Sequence, residues 1–364
     1  RAHPDWAIKT DVYEPSQGRN QLVLDLTNDE VVEYIINTMT DVFRYGNIEY
    51  IKWDNNRQMT DVFSHRKDAR SGEFFHRYML GLYKVWSALT EKFPEILFEA
   101  CSSGGNRFDL GTFCYMPQCW TSDNTDALER VYIQAGTSYG YPQSVMTMHV
   151  ACSPSFACLR SSSIEHRFNV AAFGLLGYEL DVTNLSRFDK AAVKKQIEYY
   201  KAHRYLLQYG EFDRIGDFFT DNIAKWQITS PDKKESILGY FINRVSPNWG
   251  NDVIRFTGLD EEKDYELSAR TQLFSVRNLG EIINTPLPKK IDIEDSRLYD
   301  FLVETVKLRT EKEEYTVGGD ALMNAGLKPH QPFVLSGYKF GVSRILLDND
   351  SRMYYLKEKA EKAE

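Results

Sequence analysis

Tyr50-Ile51-Lys52-Trp53-Asp54-Asn55-Asn56-Arg57 is the stretch on which the fold turns. A compact apolar strand, Ile48–Trp53, runs into a cluster of charged and amide residues. Side chains alternate along a strand, so Lys52 and Asp54 share one side and Trp53 points to the other. If the strand is one stave of a (β/α)8 barrel, the shared side faces the interior at the C-terminal end, where active sites of such barrels lie. A carboxylate beside Lys52 is expected to stay ionised, because the opposite charge favours the anion. That is the state a nucleophile needs. Taken alone, the same residues also read as a solvated Lys–Asp pair at a loop start.

The flanking sequence repeats the strand-then-helix pattern. Gln21–Leu26 is extended, and Thr27-x-x-Glu30 reads as a capping box opening a helix to about Arg44. Glu73–Phe93 has apolar residues at helical spacing. Ile96–Ala100, Met116–Thr121, Val145–Val150 and Phe173–Leu180 are strands. Helices are expected over 126–137 and Asp189–Tyr209. This alternation is that of an α/β fold. The barrel reading expects an eight-stranded (β/α)8 TIM barrel whose first strands are missing from this chain, with residues 1–212 as a partial catalytic barrel. From about Ile215 the texture changes to short strands with turn residues between: Ala224–Thr229, Ser236–Asn243, Val253–Phe256, Tyr265–Ser268 and Lys339–Leu347. Residues 213–364 are therefore expected to form a C-terminal antiparallel β-sandwich. Lys357–Glu364 reads as a charged tail.

Composition narrows the function class. The 364 residues carry 44 basic and 52 acidic side chains, a formal charge of −8. Nucleic acid and anionic membranes need a basic face and are not expected as partners. No apolar run reaches the roughly 18 residues of a membrane span, and no signal peptide is visible. Aromatic residues make up 13%, which suits a sugar site but equally a large core. The five cysteines, Cys101, Cys114, Cys119, Cys152 and Cys158, form neither a disulfide framework nor a zinc pattern, and are expected as free thiols in a cytoplasmic protein.

Two further strand ends carry candidate chemistry. In Cys119-Trp120-Thr121-Ser122-Asp123-Asn124-Thr125-Asp126, Asp123 stands where a strand ends. Asp126 falls in the first turn of a helix, where an acid complements the dipole. Asp123 is thus the better functional candidate, although it too can be read as a cap. Two carboxylates at neighbouring barrel mouths suggest glycoside hydrolysis; a retaining enzyme needs them about 5–5.5 Å apart and an inverting one further. Cys101-Ser102-Ser103-Gly104-Gly105 is a turn through which a ligand can approach the backbone. It is neither a P-loop nor a dinucleotide fingerprint. Glu179 and Asp181 are additional strand-end acids.

In order along the chain, these segments resemble glycoside hydrolase family 36, the bacterial and fungal α-galactosidases. The resemblance is carried by His3-Pro4-Asp5-Trp6, Gly18-Arg19-Asn20-Gln21, Tyr50–Asp54, Cys101–Gly105 with Arg107-Phe108-Asp109, and Trp120–Ala127. Arg167-Phe168-Asn169, Gly177–Asp181 and Asp320-x-Leu322-Met323-Asn324-Ala325-Gly326-Leu327 continue it. It implies a retaining exo-glycosidase that removes terminal α-linked galactose from oligosaccharides such as melibiose and raffinose by double displacement, with no metal or organic cofactor. Asp54 would be the nucleophile and Asp123 the acid/base. Arg19 and Lys52 would contact galactose hydroxyls, Cys101 and the Gly104 backbone would lie beside the 2-hydroxyl, and Asn56 and Trp120 would line the site. The alternatives are an α-N-acetylgalactosaminidase on the same scaffold, or an inactive truncated fragment that at most binds sugar. The family also implies a homotetramer, an N-terminal β-sandwich and earlier barrel strands that the 364 residues do not contain.

Overall fold

The computed structural model describes residues 2–10, 12–63, 71–217, 219–246, 252–330 and 344–360. These fall into two compact units, Arg1–Asp123 and Asn124–Glu364.

The first unit alternates helix and strand: α1 (Asp29–Tyr45), β1 (Tyr50–Asp54), α2 (Phe74–Lys92), β2 (Leu97–Cys101), the short α3 (Leu110–Phe113) and β3 (Gln118–Trp120). β1 pairs with β2 in parallel, setting Lys52 opposite Glu99 and Asp54 opposite Cys101. β2 pairs with β3 in parallel, setting Glu99 opposite Gln118. The apolar stripe of α1 (Val31, Val32, Ile36, Phe43) and that of α2 (Tyr78, Leu82, Val85, Trp86, Leu89) are buried together with Phe98 and Ala100 of β2 and Cys119 of β3. Ile51 and Trp53 pack against the same cluster. Each large side chain buried in this way stabilises the unit by about 1.5–3 kcal/mol. The pleat then leaves Lys52, Asp54, Glu99, Cys101, Gln118 and Trp120 on the opposite face of the strands. One expected detail changes: α1 is capped by Asn28, whose side chain accepts from the Glu30 N–H, not by Thr27. The Thr27 N–H and hydroxyl are both taken by Asp25, at 2.9 and 2.6 Å.

The second unit opens with α4 (Ala127–Thr137), β4 (Met146–Ala151), α5 (Ile164–Ala171), β5 (Leu175–Glu179) and α6 (Arg187–Tyr209), with β4 and β5 parallel. It continues through β6 (Glu211–Ile215), β7 (Ile223–Thr229), β8 (Glu235–Ile242), β9 (Asp264–Ala269), β10 (Leu273–Ser275), α7 (Arg297–Thr305), β11 (Lys307–Arg309), β12 (Glu314–Gly318), α8 (Gly319–Asn324) and β13 (Asp350–Glu358). Six of these strands form an antiparallel sheet in the order β12-β9-β13-β8-β7-β6, and β10 and β11 form a two-stranded ribbon. Leu238, Tyr240, Ile254, Phe256, Tyr265, Leu267 and Tyr354 make up much of this unit's core.

Two expectations in the β region fail, and a third lies mostly outside the described residues. Val253–Phe256 is not a strand; Ile254 makes a single bridge to Leu327. Of the expected strand Lys339–Leu347, residues 339–343 lie outside the described residues and 344–347 are irregular. Lys357 and Glu358 are not tail residues but the last pairs of β13, opposite Glu235 of β8 and Tyr265 of β9.

Candidate active site

The candidate residues of the first unit gather at the C-terminal ends of β1, β2 and β3. Asp54 is the last residue of β1 and is exposed. The ladder runs one step past it, because the Asn55 N–H donates to the Cys101 carbonyl at 2.9 Å. Asn56 then bridges two loops. Its amide N–H donates to Asp54 Oδ2, and its Oδ1 accepts from the Ser103 N–H. Arg107 ties the same loops by donating to the Asn55 carbonyl at 2.7 Å and to the Ser102 hydroxyl.

Gly104 shows why this turn needs glycine. Its φ is +82°, and a Cβ there would stand 2.5 Å from Ser122 Cα and 2.9 Å from the Asp123 nitrogen. No side chain fits at that approach. The β2 turn is therefore seated directly on the backbone that presents Asp123. Asp123 is exposed, and the Trp120 indole N–H donates to its Oδ1 at 3.2 Å. Trp120 is buried, with Lys52 Nζ 4.8 Å from the centre of its ring. The Cys101 thiol lies near the Asp54 carboxylate and the Gly104 backbone. Burial above all, with the Asp54 carboxylate adding to it, pushes that thiol up to about 11, so it is a neutral donor at neutral pH.

One expectation is corrected here. The carboxylate that Lys52 pairs with is Glu99, at 3.6 Å, and not Asp54. Lys52 and Asp54 are two residues apart on one face, but Glu99 lies directly across the ladder.

Arg19 lies on the turn Gly18–Gln21 with φ +55°, exposed. That turn is fastened to the segment following β1. Arg57 donates to the carbonyls of Ser16 at 2.7 Å and Gln21 at 3.2 Å, and Asp61 accepts from the Ser16 N–H and hydroxyl at 2.8 and 3.0 Å. Sequence reasoning missed Glu99, and it gave no role to Arg57 or Arg107. An acid in the middle of an otherwise apolar strand was the available signal for Glu99.

The other strand-end acids have local partners. Asp126 is the N-cap of α4, accepting from the Glu129 N–H at 3.2 Å and pairing with Arg160. Asp181 caps the turn at 182–184, held below the usual carboxylate range by the Thr183 hydroxyl first and the Thr183 and Asn184 N–H groups after it. Glu179 pairs with His149 at 3.0 Å. Among the described residues no group of three or more His, Cys, Asp or Glu is placed to hold a metal ion. Among them too, no helix is long and apolar enough to cross a membrane.

A family profile described as melibiase matches residues 1–210, and one described as the glycosyl hydrolase family 36 C-terminal domain matches residues 223–356. The chain belongs to glycoside hydrolase family 36. It is 46% identical to alpha-galactosidase AgaA of Geobacillus stearothermophilus over 268 residues, covering 73% of this chain and 37% of that protein. It is 43% identical to alpha-galactosidase 1 of Pediococcus pentosaceus, over 75% of this chain and 37% of that one. Two solved structures extend the likeness to almost every residue. The alpha-galactosidase from Lactobacillus brevis superposes with a TM-score of 0.80 at 36% identity, covering 100% of this chain and 42% of that one. A family 36 AgaA variant in complex with raffinose superposes with a TM-score of 0.79 at 37% identity, covering 98% and 42%. The chain thus spans about two fifths of the length of its family 36 relatives. Its parallel strands are part of the family's (β/α)8 barrel, followed by antiparallel sheets.

Proposed function

We propose that the protein is a retaining α-galactosidase acting on terminal α-linked galactose, with Asp54 as nucleophile and Asp123 as acid/base. The observation that carries this is the turn after β2, which joins the loops of the two exposed carboxylates: Gly104 is seated on the Asp123 backbone, and Asn56 and Arg107 tie the Asp54 loop to Ser103 and Ser102. Asp54 attacks the anomeric carbon while protonated Asp123 donates to the leaving oxygen. Asp123 then takes a proton from the water that releases galactose. The amide of Asn56 and the thiol of Cys101 steady the Asp54 carboxylate between these steps.

Arg19 and Lys52 bind the hydroxyls of the galactose ring. Cys101 and the Gly104 backbone lie beside its 2-hydroxyl, which leaves little room for an acetamido group. Trp120 orients Asp123 through its indole N–H. Raffinose, bound by the AgaA variant, and melibiose are the expected substrates. Residues 1–212 are read as the catalytic barrel part and 213–364 as the C-terminal β domain of a cytoplasmic, oligomeric enzyme.

Hydrolysis of p-nitrophenyl α-D-galactopyranoside by the protein and by Asp54→Asn tests the proposal. Turnover that Asp54→Asn removes, with circular dichroism unchanged, supports it. Turnover that survives in Asp54→Asn contradicts the assignment.

A further inference from the structure

We propose that Glu99 is a positioning residue for Lys52, a buried counter-ion held in place by Tyr50 and Gln118. This rests on the site reading above and extends it one layer down the strands. Glu99 stands mid-strand in β2 and is 1% exposed. A carboxylate there is costly unless its oxygens are engaged. The register supplies the partners: Lys52 of β1 lies opposite on one side and Gln118 of β3 on the other.

The hydrogen bonds run in one direction. Gln118 Nε2 donates to the Tyr50 hydroxyl at 2.6 Å, and Tyr50 donates to Glu99 Oε2. An amide N–H can only donate, so the Tyr50 proton is committed to Glu99. Burial first, and then Glu99 itself, hold the Tyr50 phenol far above its ordinary range, so that proton stays in place. The other oxygen, Oε1, is buried with no hydrogen bond, and Lys52 Nζ stands 3.6 Å from it. With the Trp120 ring on another side at 4.8 Å, the ammonium is held between a carboxylate and an aromatic face.

The chemical consequence concerns Asp54. The next carboxylate on the Lys52 face of β1 is Asp54, two residues on. With Glu99 across the ladder, Lys52 has a partner of its own, and the lone pairs of Asp54 stay available for attack. A glutamine at 99 turns an amide N–H either to Lys52, donor against donor, or to Tyr50. In the first orientation Lys52 is repelled, and in the second it faces a neutral amide oxygen in place of a carboxylate; in both its hold on the sugar hydroxyls is weakened.

The test is a double-mutant cycle on p-nitrophenyl α-D-galactopyranoside, using wild type, Glu99→Gln, Lys52→Gln and the pair, with galactose inhibition measured on each. Glu99→Gln is expected to lower kcat/KM by about 10²-fold, the scale of a misplaced binding group, and to weaken galactose inhibition in parallel. Because Glu99 acts through Lys52, the double variant is expected to be no worse than Lys52→Gln alone. Losses that multiply, or a Glu99→Gln enzyme within about twofold of wild type, would overturn the inference while leaving the function reading intact. A wild type inert on the galactoside would overturn that reading, and the role of Glu99 with it. If Glu99→Gln fails to fold, Tyr50→Phe replaces it in the same cycle. It removes the clamp, keeps the charge, and is expected to give a smaller loss with the same dependence on Lys52.

Discussion

Two charged regions of this molecule use the same side chains to opposite ends. In the second unit, Arg352 is 1% exposed. It donates from Nε to Glu311 at 2.7 Å, and from Nη1 to Asp350 at 3.1 Å and to the Ser351 carbonyl at 2.8 Å. Glu165 is equally closed: one oxygen accepts from the Leu273 N–H at 2.8 Å, and the other accepts from Arg270 at 2.6 Å and Gln196 at 3.0 Å. These carboxylates are saturated and can only hold the fold. In the first unit, Asp54 and Asp123 are exposed at strand ends, steadied by one or two donors each. Neither is locked into a buried ion pair. The residue type does not decide between structure and chemistry; the number of partners already in place does.

Substitution in each region sharpens that contrast. The largest effect is expected from Asp123→Asn. On raffinose kcat/KM should fall by about 10⁴-fold, the upper range of general acid–base catalysis. The p-nitrophenyl galactoside should lose less, because nitrophenolate leaves without a proton. Equal losses on both substrates would remove the acid role. Arg352→Met should act on stability instead. Leaving Glu311 and Asp350 buried without their cation costs about 3–5 kcal/mol in urea unfolding, and adding Glu311→Leu should recover most of it. A full loss that persists in the double variant would mean that packing, not charge, holds this region.

A third effect follows from pH. His166 is fully buried; its Nδ1 stands 3.0 Å from the Ser351 hydroxyl, and its Nε2 has no partner. Burial, opposed by Asp350 and Asp126 and aided by Arg167, lowers it to about 4. The unfolded imidazole takes up a proton near pH 6.5 that the folded one refuses. Stability is therefore full above pH 6.5 and declines as pH falls toward 4, by about 3 kcal/mol from this group. His166→Gln should flatten that part of a urea-unfolding pH profile. The smallest effect is expected from Asp126→Ala, which removes the α4 cap at about 1–2 kcal/mol and leaves galactoside turnover by the folded protein unchanged. A collapse of turnover there would return Asp126 to the list of candidate acids.

What could be read from the sequence followed the same division. β1 and the loop after β3 were legible because a polar cluster interrupts an apolar strand, and the pleat fixes which residues share a side. The partner of Lys52 was not, since proximity in sequence favoured Asp54 while the register of β2, invisible in one strand, delivers Glu99. β13 was missed for a related reason. Asp350-Ser351-Arg352 and Lys357-Glu358 look like a solvated end, yet Arg352 is neutralised by Glu311, 41 residues earlier. Buried ion pairs disguise a central strand as surface. The α1 cap shifted from Thr27 to Asn28 because Asp25 captures Thr27 first.

The most direct test of the central claim is peptide mass spectrometry after incubation with a slow fluorinated α-galactosyl substrate that accumulates the glycosyl-enzyme. A galactosyl adduct on Asp54 is the predicted result. An adduct on Asp123, or none from a protein that turns the substrate over, would contradict it.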